Sequence, residues 1–207
     1  MNNSYKKKFY ISPIILLIPI SFYSFFINFY YANLGVFPID TFLHYDSSYR
    51  ILKGEYPLKD YWIVSGLSID AMQAFFFKIL GINWVSYIIH SSLFNSIIAI
   101  LTFYFFLSLE INEIKSFIYT VSFSTLSYTI SGTPFVDQHA AFFLLISTYF
   151  LLNALTNPKK NLLWFFSILF IIFSFLSKQV PATYAIILQG SIILFYSFFN
   201  KNFLILK

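Results

Sequence analysis

The sequence has no cysteine and very little charge: 8 acidic and 13 basic residues in 207, or 10% charged. Without cysteine there are no disulfides and no thiolate metal sites. A water-soluble domain carries roughly 25% charged residues, so this chain cannot clothe a water-facing surface in the usual way. Six glycines and seven prolines are too few for a collagen-like or Gly/Pro-rich linker segment. Acidic residues are missing from the centres of the apolar runs, which weighs against an ion-coupled pump, since such proteins place ionisable groups near the bilayer midplane. The net charge of +5 comes from scattered lysines and is not a nucleic-acid footprint, so no nucleic-acid partner is expected.

Apolar and aromatic residues take the place of charge. The chain is 58% hydrophobic and 23% aromatic, with 29 Phe and 16 Tyr. A helix crosses a hydrocarbon core with roughly 20 apolar residues. Runs of that kind fall near residues 9–31, 84–107, 116–132, 140–155, 162–176 and 182–199. The first follows Lys6, Lys7 and Lys8 but is too long for a signal-peptide core and lacks a small-residue cleavage site, so it reads as a retained span. The third is rich in Ser and Thr, as suits a helix buried among other helices. The expected fold is all-α: a polytopic transmembrane helix bundle of about six spans, with residues 1–207 as a single transmembrane domain.

Lys and Arg near the span ends give an orientation. With the N-terminus in the cytoplasm, Lys6, Lys7, Lys8, Lys115, Lys159, Lys160, Lys201 and Lys207 fall inside. Most acidic residues then fall outside, namely Asp40, Asp46, Glu55, Asp60, Asp70 and Asp137, joined there by His44, His139 and Gln179. The first outer loop, about residues 32–83, is the longest and is rich in Tyr, Trp and Leu. Its end reads as an amphipathic juxtamembrane helix over 68–80, with Ser68 as N-cap, Asp70 favoured by the helix dipole, an apolar face of Ile69, Met72, Phe76, Ile79 and Leu80, and Gly81 as the stop. Within the loop, Gly54 and Pro57 break an earlier helix.

A carboxylate at the mouth of such a bundle can serve as a general base toward a hydroxyl. Asp40 follows the first span directly, while Arg50, Lys53 and Lys178 could hold an anionic phosphate. Plainer readings stand beside these. Asp40 could cap the loop helix or pair with Arg50, Asp46 is spaced i,i+4 from Arg50 for a local ion pair, and Asp60 could cap a turn. Asp137 could be the N-cap of a span, Lys178 could snorkel, and His90 inside its span could be neutral and hydrogen-bonded. His44 and His139 lie near acids, but no short spacing enforces a metal site; a divalent metal is not indicated and no cofactor is expected.

The loop pattern resembles the GT-C glycosyltransferases, polytopic enzymes that take a sugar from a polyprenyl-phosphate carrier, of the protein O-mannosyltransferase and aminoarabinose transferase type. The resemblance rests on Asp40, on Gly54-Glu-Tyr-Pro57-Leu-Lys-Asp60-Tyr61-Trp62, on the 68–80 helix ending Leu80-Gly81, on Pro134-Phe-Val-Asp137-Gln-His139, and on Leu176-Ser-Lys178-Gln179. It covers about residues 35–185, with Thr41 standing where the family often has Glu. It implies an inverting transfer with Asp40 and Asp137 as the catalytic carboxylates, Asp40 being the base. His44, Arg50, Lys53, Asp60, His139, Lys178 and Gln179 would line the substrate site. The implied partners are the lipid bilayer, a polyprenyl-phosphate-linked sugar donor, and a glycan, lipid or protein acceptor. The implied location is the plasma membrane, the bacterial inner membrane, with the site facing the periplasm. Relatives of this kind carry more spans, so the resemblance also implies an N-terminal module of a longer protein. The rival expectations are a non-catalytic membrane assembly protein and a lipid or sugar transporter subunit.

Overall fold

A computed structural model describes residues 12–36, 38–63, 65–128 and 131–200. Among them eight helices form and no strand does, only an isolated bridge between Pro57 and Tyr61. The helices are α1 (Pro13–Tyr31), α2 (Pro38–Leu52), α3 (Ser68–Leu80), α4 (Trp84–Ser108), α5 (Glu113–Ser127), α6 (Val136–Thr156), α7 (Asn161–Ser177) and α8 (Gln179–Phe199). Four of them, α1, α4, α6 and α8, are long and apolar enough to cross a membrane. Helix α7 is apolar but has 17 residues, about 26 Å at 1.5 Å per residue. Helix α5 has 15 residues, about 22 Å by the same rise, and stops at Ser127 where the sequence pattern ran to Gly132. The chain turns there instead, and Gly132 adopts a positive φ of 67°.

The bundle is lined with small polar groups and coated with apolar ones. On α1 the buried residues are Ile20, Ser24 and Asn28, one per turn, while Ile14, Ile18, Phe22 and Phe26 face outward. Lipid tails are as apolar as leucine, so helices in a bilayer associate through small residues and hydrogen bonds rather than by hiding apolar surface. Asn95 on α4 shows how. Its Nδ2 donates to the Ser24 carbonyl of α1 at 2.8 Å and to the Ser124 carbonyl of α5 at 3.1 Å. Its Oδ1 accepts from Ser127 Oγ at 2.6 Å. One side chain thereby ties three helices. On the other side of the bundle, Ser147 Oγ of α6 donates to the Ser167 carbonyl of α7, and Gln189 Nε2 of α8 donates to Ser147 Oγ.

These pairings make α4 antiparallel to α1, and α7 antiparallel to α6: Asn28 meets Ser91 and Ser92, and Ser174 meets the Ala140 carbonyl. The C-termini of α1 and α7 and the N-termini of α4, α6 and α8 therefore share one end. Helices α2 and α3, which lie between α1 and α4 in the sequence, pack against each other at that end, while α1 and α4 meet directly. The basic residues Lys6, Lys7, Lys8, Lys201 and Lys207, on which the orientation chiefly rests, lie outside the described residues.

Helix α3 has the bounds the sequence pattern expects, and Gly81 ends it with φ 85°, its N–H returning to the Phe77 carbonyl. Two details differ. Ser68 is the first helical residue rather than the N-cap; its Oγ bonds Ser177 Oγ of α7 at 2.5 Å. The inward face is Ile69, Asp70, Gln73, Ala74 and Phe77, whereas Ile79 and Leu80 are exposed. The bundle takes this side because it supplies partners for Asp70 and Gln73; of the apolar residues, Ile69 is buried as well and Phe76 stacks on His90, while Ile79 and Leu80 stay exposed.

Candidate functional site at the loop end of the bundle

Asp40 sits in the first turn of α2, where the helix dipole favours a negative charge. It is half-buried and makes no hydrogen bond or ion pair among the described residues. The next residue fixes its place. Thr41 is buried, with Oγ1 3.2 Å from Thr133 Oγ1 on the α5–α6 turn, and its carbonyl accepts the Tyr87 hydroxyl of α4 at 2.7 Å. Thr133 lies four residues before Asp137, so the turn that holds α2 also carries the second carboxylate.

Asp137 is in the first turn of α6, whose N-cap is Phe135, so it is not the cap itself. Its Oδ1 accepts from Lys178 Nζ at 2.5 Å, across 41 residues. Lys178 occupies the extended residue between α7 and α8. Gln179, the first residue of α8, is exposed. Asp137 and Lys178 are thus brought together, with Asp40 tied to the same end through Thr41 and Thr133.

Arg50, Lys53 and Asp60 form a different group. Arg50 Nε donates to Asp46 Oδ2 at 2.7 Å, one turn earlier, and its Nη1 donates to Glu55 Oε2 at 3.1 Å. It pairs with these acids and not with Asp40, and the hydrogen bond to Asp46 leads in holding its pKa above the ordinary guanidinium value. Asp60 Oδ2 accepts the Tyr56 N–H at 2.8 Å and so caps the loop turn. Lys53 lies over the Tyr49 ring. Burial pushes the Tyr61 phenol up to about 12, helped by the charges of Asp70 and Glu55.

His44 and His139 are buried rather than open to solvent. His44, one turn beyond Asp40 on α2, places Nδ1 2.8 Å from Asp70 Oδ1. The carboxylate accepts, so Nδ1 carries the proton, and Nε2 makes no hydrogen bond among the described residues. Burial raises the Asp70 pKa from its ordinary value, and the hydrogen bond and charge of His44 pull it back down. His139 belongs to a separate chain. The Phe135 N–H donates to the Tyr128 oxygen at 3.0 Å, Tyr128 OH is 2.5 Å from His139 Nδ1, His139 Nε2 is 3.2 Å from His90 Nε2, and His90 Nδ1 is 2.8 Å from Gln73 Oε1. With Gln73 accepting through Oε1, His90 Nδ1 donates to it and His90 Nε2 accepts from His139 Nε2; His139 Nδ1 then faces both the Tyr128 hydroxyl and, at 3.2 Å, the Phe135 carbonyl. Gln73 Nε2, at the end of the line, has no partner among the described residues.

Asp70, Gln73 and Tyr128 are the polar positions that site reasoning from sequence missed. The signal for two of them was present, as Asp70 and Gln73 stand i,i+3 on one face of an otherwise apolar helix. Among the described residues no group of three His, Cys, Asp or Glu could hold a metal ion. Comparison with family models, with curated proteins and with solved structures gives no match. What stands without relatives is a helical protein with four helices suited to a lipid bilayer and a polar cluster at one end of the bundle.

Proposed function

We propose that the chain is the membrane module of a GT-C-type glycosyltransferase, moving a sugar from a polyprenyl-phosphate donor to an acceptor hydroxyl on the non-cytoplasmic side. The observation that carries this reading is Asp40. Its carboxylate is held in the first turn of a helix at the end of the bundle, and no cation or donor among the described residues consumes it. A carboxylate committed to structure would be expected to have such a partner, as Asp46, Asp60, Asp70 and Asp137 all do.

In the proposed step Asp40 accepts the acceptor's hydroxyl proton as that oxygen bonds to the anomeric carbon. The carbon–oxygen bond to the lipid phosphate breaks, and the phosphate leaves with the electron pair and needs no proton. The Lys178 ammonium, shared with Asp137, offers a cation to the departing phosphate. The His44–Asp70 pair behind Asp40 holds α2 against α3 and so fixes the direction of the base.

The test is transfer of labelled sugar from a polyprenyl-phosphate donor in membranes, with the parent chain and Asp40→Asn at matched expression. Transfer by the parent and loss in the variant support the enzyme and the base together. Equal transfer by the two would overturn the assignment of Asp40 as the base, and no transfer by the parent would turn the reading to a non-catalytic assembly protein or a transporter subunit.

A further inference from the structure

The α2–α3 loop, residues 53–62, takes no part in the step written above, although the resemblance counts Lys53 and Asp60 among the residues lining the substrate site, and it is built in an unusual way. Three large side chains stand out from it: Tyr56 is 65% exposed, Leu58 69% and Trp62 78%. The loop holding them is not slack. The Tyr56 carbonyl accepts the Asp60 N–H at 2.9 Å, the Leu58 N–H donates to the Tyr61 carbonyl at 2.9 Å, and Asp60 caps the Tyr56 N–H. Leu58 is held at φ 66°, a left-handed conformation that a leucine rarely adopts. A rigid turn therefore presents a strained, apolar tip that is largely exposed.

The charges of the loop are sorted by sign. Glu55 is taken by Arg50, and Asp60 by the Tyr56 N–H. Lys53 and Lys59 have no acidic partner among the described residues. Their ammonium groups lie over the rings of Tyr49 and Tyr56, 5.4 and 5.3 Å from the centroids. Seen from outside, the loop offers aromatic rings, a leucine and two free cations.

Its height is set by α7. The Gly66 N–H donates to the Ser177 carbonyl at 2.8 Å, and Ser68 Oγ meets Ser177 Oγ. The contact is so close that a Cβ on Gly66 would lie 1.8 Å from the Leu176 carbonyl oxygen. Residue 66 is thereby pinned to the end of an apolar helix. Trp62 is four residues away and lies within about 14 Å of that pin, even with the chain fully extended. The exposed Phe75, Ile79 and Leu80 of α3 continue the apolar surface from the loop toward α4. Trp and Tyr concentrate at the headgroup level of bilayers, and lysines there meet anionic phosphates.

We propose that the 53–62 loop is a membrane-interface anchor: Tyr56, Leu58 and Trp62 enter the headgroup region of the adjoining leaflet, and Lys53 and Lys59 pair with the phosphates of anionic lipids. The occupant of this surface is the chain's own bilayer, and the proposal is independent of the glycosyltransferase reading. The absence of cysteine makes a clean probe available. Leu58→Cys carries the sole thiol, to which a nitroxide spin label can be attached.

In nanodiscs containing phosphatidylglycerol, the label should be relaxed more by oxygen than by a water-soluble nickel chelate. The ratio should drop at least severalfold when Lys53→Gln and Lys59→Gln are added, or when the discs are made of phosphatidylcholine alone. Trp62 gives a second readout at an unaltered loop. With Trp84→Phe and Trp164→Phe, its emission in the anionic discs should be blue-shifted and resist iodide, while a lipid with a headgroup-level nitroxide quenches it. A label at position 58 open to the nickel chelate, together with Trp62 emission like that of free indole in water, would overturn the proposal and leave the loop facing solvent or a soluble partner.

Discussion

His44 Nδ1 and Asp70 Oδ1 lie 2.8 Å apart, with both side chains buried where α2 crosses α3. The loop helix and the juxtamembrane helix are joined by a partly charged pair in a dry place. Removing two such groups from water is costly and is repaid only through the hydrogen bond between them.

That cost has a pH signature. Burial raises the folded-state pKa of Asp70 above 3.8, and His44 opposes the rise. The folded chain therefore holds the Asp70 proton more tightly than the unfolded chain. The contribution of Asp70 to stability is greatest below 3.8, falls as pH rises from 3.8 through the raised folded value, and is constant above it. Asp70→Asn keeps an oxygen for His44 but cannot titrate. Thermal unfolding in detergent should show the parent losing stability relative to Asp70→Asn across that window. A difference that is flat with pH would contradict the assignment.

Asp40→Asn should lower transfer by about 10²-fold or more, the usual worth of a general base, while leaving the melting temperature near the parent's. The carboxylate has no partner among the described residues to lose. A variant that unfolds would point instead to a structural role.

Lys178→Met tests the other carboxylate's partner. The Lys178 and Asp137 side chains are 40% and 49% exposed, and such pairs contribute at most about 1 kcal/mol to stability. Melting should barely move. If Lys178 contacts the donor phosphate, transfer should fall at least about tenfold, in line with a charge-assisted contact.

Asn95→Leu removes bonds to the Ser24 and Ser124 carbonyls and to Ser127 at one stroke. Intramembrane hydrogen bonds are modest singly, so a loss of about 1–2 kcal/mol is expected, measured by unfolding in mixed micelles. Asn95→Gln should not restore it, since the longer side chain cannot occupy the same site between three helices.

Gly132→Ala should be worse tolerated than Gly190→Ala. A Cβ on Gly132 would lie 2.6 Å from Ala32 Cα, and the residue has a positive φ, whereas Gly190 has open space. Crowding a packed site costs about 1–3 kcal/mol. The comparison is read as the difference in melting temperature between the two variants.

Much of this arrangement was legible in the residues. The bounds of α3 follow from its helical spacing and Gly81, the end of α2 from Gly54, the Asp46–Arg50 pair from its i,i+4 spacing, and the Asp60 cap from its turn. These are local, decided by backbone geometry over a few residues. Which side of α3 meets the bundle was not legible, for a physical reason: apolar spacing shows that the helix has two faces, but beside lipid the side with Asp70 and Gln73 turns inward, together with Ile69, Ala74 and Phe77.

By itself, the sequence determined that the chain is helical, that its helices suit a bilayer, and that its acidic residues keep away from the centres of the apolar runs, because composition and the 3.6-residue period act locally. Only the tertiary structure decided that Asp137 meets Lys178, that His44 meets Asp70, and that Tyr128, His139, His90 and Gln73 form one line. Those partners are set by how helices pack, and packing in a membrane turns on where small and polar side chains find one another across the bundle.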